Sequence, residues 1–441
     1  MRKDSVRYRV LMLFSSNLML QLMGFAYRVA LTRTLGASAL GLNSLVMQFY
    51  GLVVSFCISG LNVAVTSVSA RIKPENRRGL LFCALIVFAL LFLAAAAPIA
   101  VFSRRICKKA LGEPALIKTL YLMLFCIFMT GIENVFKSVF MGAGRVGRCA
   151  ASELTEQAVR FIAVIILLKA MGPCGDPQSV FYIMLGMVLS EFVSVGFLSA
   201  SFFGLYGLPK SERMKAPFLR ELVRIAFPAI LTAVSGTAFA SFGALLLPKI
   251  LVYYGAERAS ALAEIGIMNN SAVPLTMLPM ALVGSLAAVL MPEVCSLSSR
   301  GISPIRLVSR SLTAAIAVGL IWTLILTFFG TSISKALFGC AAERDVFILL
   351  AAKAFVIFLQ VVSVSAMNGL LMQRTVFVLA LSGEAYQLVL ILLLTPVLGL
   401  KGYALGMLAG EAVRLFANMT ALSLKLKNGY GIKRPIMIKS A

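Results

Sequence analysis

The stretch LGMVLSEFV at 185–193 sets one carboxylate, Glu191, in an apolar run, and no other charged residue lies between Pro177 and Pro209. The same frame returns near the C-terminus as LGMLAGEAV at 405–413, with Glu411 in the matching place. A charge at bilayer depth costs roughly 2.5–3.5 kcal/mol even on permissive insertion scales, so each such group needs a partner or an aqueous cavity. Several have a partner on their own helix. Glu133 and Lys137 are spaced i,i+4, as are Glu156 and Arg160, and Glu411 and Arg414 are i,i+3, which puts each pair on one helix face. Glu153 stands beside Glu156 at the start of the same span, and all these pairs read equally well as helix-packing contacts.

Glu191 differs, because Met187, Val188, Ser194 and Val195 occupy the positions three and four away. Glu384 also lacks a local partner. Burial without a counter-charge favours the neutral carboxylic acid. Glu191 would then couple transport to protons or sodium. Alternatively it bonds across helices to a side chain such as Arg160, and the repeat of the frame favours this pairing. Arginine keeps its charge and grips phosphate in a bidentate fork, so Arg28, Arg33 and Arg160 are candidates for an anionic substrate path, with Asn269 and Asn270 as polar companions.

These residues sit on long apolar elements. Sixty per cent of the 441 residues are hydrophobic, 13% are charged, and mean hydropathy is +0.95. The apolar runs are continuous rather than alternating, and a bilayer core needs about 20 such residues per helix. An all-α polytopic membrane protein follows, since lipid leaves only helices and closed barrels. Twelve spans are expected, near 10–31, 42–67, 79–102, 117–140, 153–171, 180–204, 223–247, 265–291, 309–330, 346–370, 375–396 and 402–424. The first has a basic start (Arg2, Lys3, Arg7, Arg9) and no A-x-A site after it, so it reads as a span and not a cleaved signal peptide. Prolines 228, 248, 274, 279 and 292 in spans 7 and 8 would kink or end their helices.

Three matches at nearly one offset divide the chain in two: LGMVLSEFV with LGMLAGEAV, ALGLNSL with EIGIMNN, and GLNVAV with GSLAAV. Two pseudo-symmetric six-helix lobes are expected at 1–205 and 223–424. A cytoplasmic linker at 206–222 joins them, and a basic cytoplasmic tail follows at 425–441. Such lobes imply a central cleft and rocking-type alternating access. The basic segments RIKPENRR, KSERMK and the tail place both termini in the cytoplasm, although SRRICKK at 103–109 is a basic outer loop against this trend. The net charge of +24 is accounted for by basic loops facing anionic lipid, and no nucleic-acid motif is present. Cys107, Cys174 and Cys340 fall in predicted outer loops, where a disulfide is possible in principle. With no histidine and no C-x-x-C, no metal or cofactor is expected.

The segments RVALTRTLGASALGLNSLV, SGLNVAVTSVSAR, FMGAGRVGRCAASELTEQAVRF, ELVRIAFPAIL and VPLTMLPMALVGSLAAVLMPEV together resemble the polysaccharide-exporter branch of the multidrug/oligosaccharidyl-lipid/polysaccharide (MOP) superfamily. Within it they are similar to the stage V sporulation protein B type, related to the lipid II flippase MurJ. The resemblance covers nearly the whole chain in order. It implies a V-shaped pair of six-helix lobes (a MATE-like fold) in the bacterial cell membrane, and a polyprenyl-diphosphate-linked glycan or peptidoglycan precursor as cargo. Some relatives carry two further C-terminal helices, whereas twelve spans are counted here. MurJ-type cavities carry arginines in helices 1, 2 and 8. Here span 1 has Arg28 and Arg33, span 2 has none, and span 8 has Asn269 and Asn270.

A MATE-type cation or drug antiporter is the alternative. Its sites need carboxylates in span 1 or in spans 7 and 8, which have none here, and a basic path favours anionic cargo. A membrane glycan polymerase or ligase would need a large catalytic outer loop, and every outer segment here is short; no enzyme is expected. The partners expected are the lipid-linked glycan and membrane lipid, with the protein a monomer.

Overall fold

The computed structural model describes residues 6–172, 175–207 and 216–430. The basic residues of KSERMK at 210–215, the last eleven residues of the tail and Cys174 lie outside the described residues. Among those described the chain is helical throughout, with no strand. In order, the helices are α1 (Val6–Thr34), α2 (Ala37–Arg71), α3 (Arg77–Val101), α4 (Ile117–Gly142), α5 (Val146–Met171), α6 (Asp176–Tyr206) and α7 (Ala216–Tyr253). They continue as α8 (Arg258–Ile267), α9 (Met280–Ser299), α10 (Ile305–Phe338), α11 (Arg344–Gly369) and α12 (Gln373–Tyr430). Nine described stretches are long and apolar enough to cross a membrane. Helix α5 is as long as its neighbours but is interrupted by Glu153, Glu156 and Arg160. The run α12 holds two helices meeting at Gly399, whose φ of +59° suits glycine and divides the two expected spans.

Two segments depart from the expected spans. Helix α7 does not end at Pro248 but contains both Pro228 and Pro248 and runs on to Tyr253. The expected span 265–291 is broken instead. After α8 come a π-helical turn at Met268–Ala272 and a short turn Val273–Thr276 opened by Pro274, and Pro279 then caps α9. Each proline lacks the N–H that would continue the ladder, and the break falls where Pro274 and Pro279 lie close together.

The chain packs as two compact units, Met1–Asn270 and Ser271–Ala441. In the first, α5 packs on α6, α6 on α4, α4 on the second half of α2, α1 on α5, and α7 and α8 on α2. Lipid tails are as apolar as leucine, so close van der Waals fit and small residues hold such helices together. Gly131 shows the fit, since a Cβ there would lie 1.9 Å from the Phe88 ring. Phe136, Phe140, Phe202 and Phe203 close the core with edge-to-face contacts. In the second unit α11 is central and packs on α9, α10 and α12, with Phe358, Val362, Ala366 and Met367 fully buried.

The glycine of each LGM frame has one job in both units. A Cβ on Gly186 of α6 would stand 2.4 Å from Val164 of α5, and one on Gly406 would stand 3.0 Å from the Ile391 backbone nitrogen. Each glycine lets its helix lie directly on the preceding one, five residues before the glutamate. The basic loop at 103–109 folds into a helical turn, Ser103–Arg105, and a π-helical turn, Ile106–Leu111, with the Arg258 guanidinium donating to the Leu111 carbonyl at 3.2 Å. Cys107 and Cys340 are free thiols, and burial pushes both up, so they stay protonated.

Candidate functional site: two ion-pair networks inside the helices

Helices α4, α5 and α6 bring six of the sequence-predicted residues to one place. Lys137 of α4 reaches Glu133 on its own helix at 2.8 Å and crosses to Glu156 at 3.3 Å and Glu153 at 3.7 Å on α5. Arg160 of α5 contacts Glu156 one turn back at 2.5 Å and Glu191 of α6 at 3.2 Å. Its Nε also donates to the Ser190 hydroxyl at 3.3 Å. Glu156 thus bridges the lysine and the arginine with one oxygen each, and one oxygen from each of Glu133, Glu156 and Glu191 lies within 4.8 Å of the others. Glu133, Glu156 and Glu191 are buried, while Glu153 is half exposed at the rim.

Hydroxyl groups complete the lining. Ser194 donates to Glu133, and its oxygen lies 2.5 Å from the Ser152 hydroxyl. One carboxylate oxygen is left over: Oε2 of Glu191 is buried with no hydrogen-bond partner among the described residues. A second polar line runs alongside, from α2 to α4. Tyr50 bonds Thr130 at 2.9 Å, Asn62 donates to Asn134 at 3.1 Å, and Ser138 donates to Asn62 at 3.1 Å. None of these hydroxyl and amide groups was singled out by sequence. Ser190 and Ser194 flank Glu191 at positions that face α5 and α4, and that flanking was the available signal.

The second unit repeats the plan with different charges. Arg414 donates to Glu411 at 2.5 Å on its own helical segment and to Glu384 at 2.8 Å on the preceding one. Gln360 of α11 donates to Glu411 at 3.2 Å. Lys353 of α11 places its Nζ 3.1 Å from the Met407 sulfur. Gly383 makes room for Arg414, whose Cδ would lie 2.8 Å from a Cβ there.

The i,i+3 and i,i+4 pairs read from sequence are all formed, and each of the two carboxylates without a local partner, Glu191 and Glu384, finds an arginine on a neighbouring helix. Arg160, expected along a substrate path, has its guanidinium committed to Glu156, Glu191 and Ser190. Asn270 is buried and ties α8 to α2, donating to Ser44 at 3.2 Å as well as to Gly266 at 3.0 Å. Arg28 stands apart from the networks. It is exposed near the end of α1, with Nη1 3.4 Å from the Asn269 carbonyl, and Arg33 is exposed a turn further on. Helix α1 carries no acidic residue, and neither does α7 between Val223 and Leu247.

The polysaccharide biosynthesis protein family matches residues 7–298. Stage V sporulation protein B of Bacillus subtilis (strain 168) is 22% identical over 460 residues, covering 98% of this chain and 86% of its own. Among solved structures, an inward-facing MATE family multidrug transporter of the MOP superfamily aligns with a TM-score of 0.75 at 14% identity, over 93% of this chain and 95% of that one. The lipid II flippase MurJ in an inward closed conformation aligns with a TM-score of 0.72 at 14% identity, over 95% and 90% of the two chains. The fold is therefore that of the MOP superfamily, a multi-pass helical membrane protein.

Proposed function

Since this chain belongs to the polysaccharide biosynthesis protein family, we propose that it is a flippase for an undecaprenyl-diphosphate-linked oligosaccharide or peptidoglycan precursor. The cargo moves from the inner to the outer leaflet of the bacterial cell membrane by alternating access, and both termini are cytoplasmic. The observation that carries the reading is the charge on α1. Arg28 and Arg33 are exposed on a helix with no acidic residue, which suits a diphosphate and repels a cation. Asn269, whose carbonyl lies against Arg28, is the polar companion on the same path. The two ion-pair networks are the rigid frames that carry the moving helices.

The test is reconstitution in proteoliposomes with labelled polyprenyl-diphosphate-linked sugars, scored by access of the label to an outer-leaflet probe. Arg28→Ala should slow flipping at least tenfold, the loss of one charge-assisted contact of about 1.5–3 kcal/mol. Equal rates for Arg28→Ala and wild type, or ethidium extrusion from cells expressing the protein, would replace this reading with a MATE-type antiporter.

A further inference from the structure

The two networks differ in their charge count, and the difference has a chemical consequence. In the second unit the charges are balanced: the half-buried Glu384 and the buried Glu411 face Arg414, with Lys353 one helix away. In the first unit three buried carboxylates, Glu133, Glu156 and Glu191, share two cations, Lys137 and Arg160. Glu153 adds a fourth acid at the rim. The deficit is localised. Glu156 is bridged by both cations, Glu133 is held by Lys137 and Ser194, and Glu191 keeps one oxygen on Arg160 and the other buried and unpartnered. Helix α4 presents Glu133, Lys137 and the Cys126 thiol, and α5 presents Glu153, Glu156 and Arg160. Helix α2 presents the neutral Tyr50, and the turn Pro114–Leu116 brings no ionisable side chain. Arg28 and Tyr27 of α1 act on each other and Tyr27 on Arg160, and neither forms an ion pair with Glu191. A buried charge left uncompensated draws a proton.

We propose that the α4–α5–α6 cluster is a proton-binding site, carrying one exchangeable proton on Glu191 that its close neighbours Glu133 and Glu156 can share. A proton fits where a metal ion does not. The three carboxylate oxygens within 4.8 Å of one another already face an ammonium and a guanidinium, and a proton needs only the free oxygen. Use of this proton to drive transport rests on the flippase reading above, whereas its presence in the folded protein does not.

The full chain in lipid nanodiscs tests this by infrared difference spectroscopy between neutral and alkaline pH. Wild type should lose a carboxylic C=O band as the pH rises, Glu384→Gln should keep that loss, and Glu191→Gln should abolish it. Because the folded state holds a proton that the unfolded chain releases at neutral pH, wild-type stability is greatest below the ordinary carboxyl range and falls as pH rises until the proton also leaves the folded protein. Glu191→Gln needs no proton to fold, so it should melt at or above wild type at neutral pH and lack the decline that wild type shows as pH rises. The proposal is overturned if wild type shows no such band, or if the band survives in Glu191→Gln. It is also overturned if added sodium raises the melting point of wild type but not of the variant. In the same protein, a failure of wild type to flip any lipid-linked substrate would sink the flippase reading and leave the proton site standing.

Discussion

Arg160→Gln is the sharpest test of the first network. Among the described residues the guanidinium is the only cation within ion-pair distance of Glu191, at 3.2 Å, and one of two on Glu156, at 2.5 Å. Without it, Lys137 alone faces carboxylates whose oxygens lie within 4.8 Å of one another. At an effective dielectric constant of about 20, two like charges at that separation repel by roughly 3–4 kcal/mol. Removing one partner of a buried pair costs about 3–5 kcal/mol in comparable cases, so the two estimates agree. Glutamine keeps much of the side-chain length and a donor for one carboxylate, which isolates the charge. At about 2 °C per kcal/mol, the melting point should fall by roughly 5–10 °C. Cys57, Cys107, Cys126 and Cys149 are buried thiols, so a thiol-reactive fluorophore reports unfolding as they become accessible, above the constant signal of the exposed Cys295. Glu156→Gln in the same chain should restore part of the loss, since the double variant removes one negative charge along with the positive one. A melting point unchanged in Arg160→Gln, or a double variant showing the plain sum of the two single losses, would mean that the contacts are not an electrostatic network at all.

Arg414→Gln should cost a similar amount in the second unit, because it frees both Glu384 and Glu411, and Glu384→Gln added to it should recover part of the melting temperature. A loss in Arg414→Gln that Glu384→Gln deepens would refute the pairing. Gly41→Ala should destabilise by at least the 1–3 kcal/mol typical of overpacking, since the new Cβ would lie 1.8 Å from the Leu262 carbonyl oxygen, a backbone atom of α8. Gly24→Ala, where the added methyl meets nothing within 4 Å, should melt like wild type and is the matched control.

The two classes of charge pair were unequally legible in the sequence. Pairs on one helix follow from its 3.6-residue period, so Glu133–Lys137, Glu156–Arg160 and Glu411–Arg414 could be written down from spacing alone. Arg160–Glu191 and Arg414–Glu384 depend on which helices pack and at what rotation, which spacing does not encode. The sequence offered only the cost of an unpaired charge as a reason to look for them. The contacts of Lys353 and Gln360 could not be read for the same reason, since their partners Met407 and Glu411 lie on another helix. Long apolar runs were readable as helices, but the break in span 8 was not placed. Prolines near 274 and 279 signal a disruption without saying whether the helix will run on through them, as it does through Pro228, or stop.

The repeat has a physical meaning beyond ancestry. In both units a glycine lets one helix lie on the preceding one; five residues on, Glu191 meets Arg160 of that same helix whereas Glu411 meets Gln360 of α11, so one packing device carries two different carboxylate contacts. Stability does not require that device, because buried ion pairs can often be replaced by well-packed apolar residues without loss. Two copies with equal charge balance would be consistent with packing alone. The copies differ: the second has as many bases as acids, and the first has three buried acids to two bases, with one oxygen of Glu191 left over. Packing would be served as well by a glutamine at 191 as by a glutamate. The distinction between those two side chains is the capacity to release a proton, and it is on that capacity that Glu191 and its network should be judged.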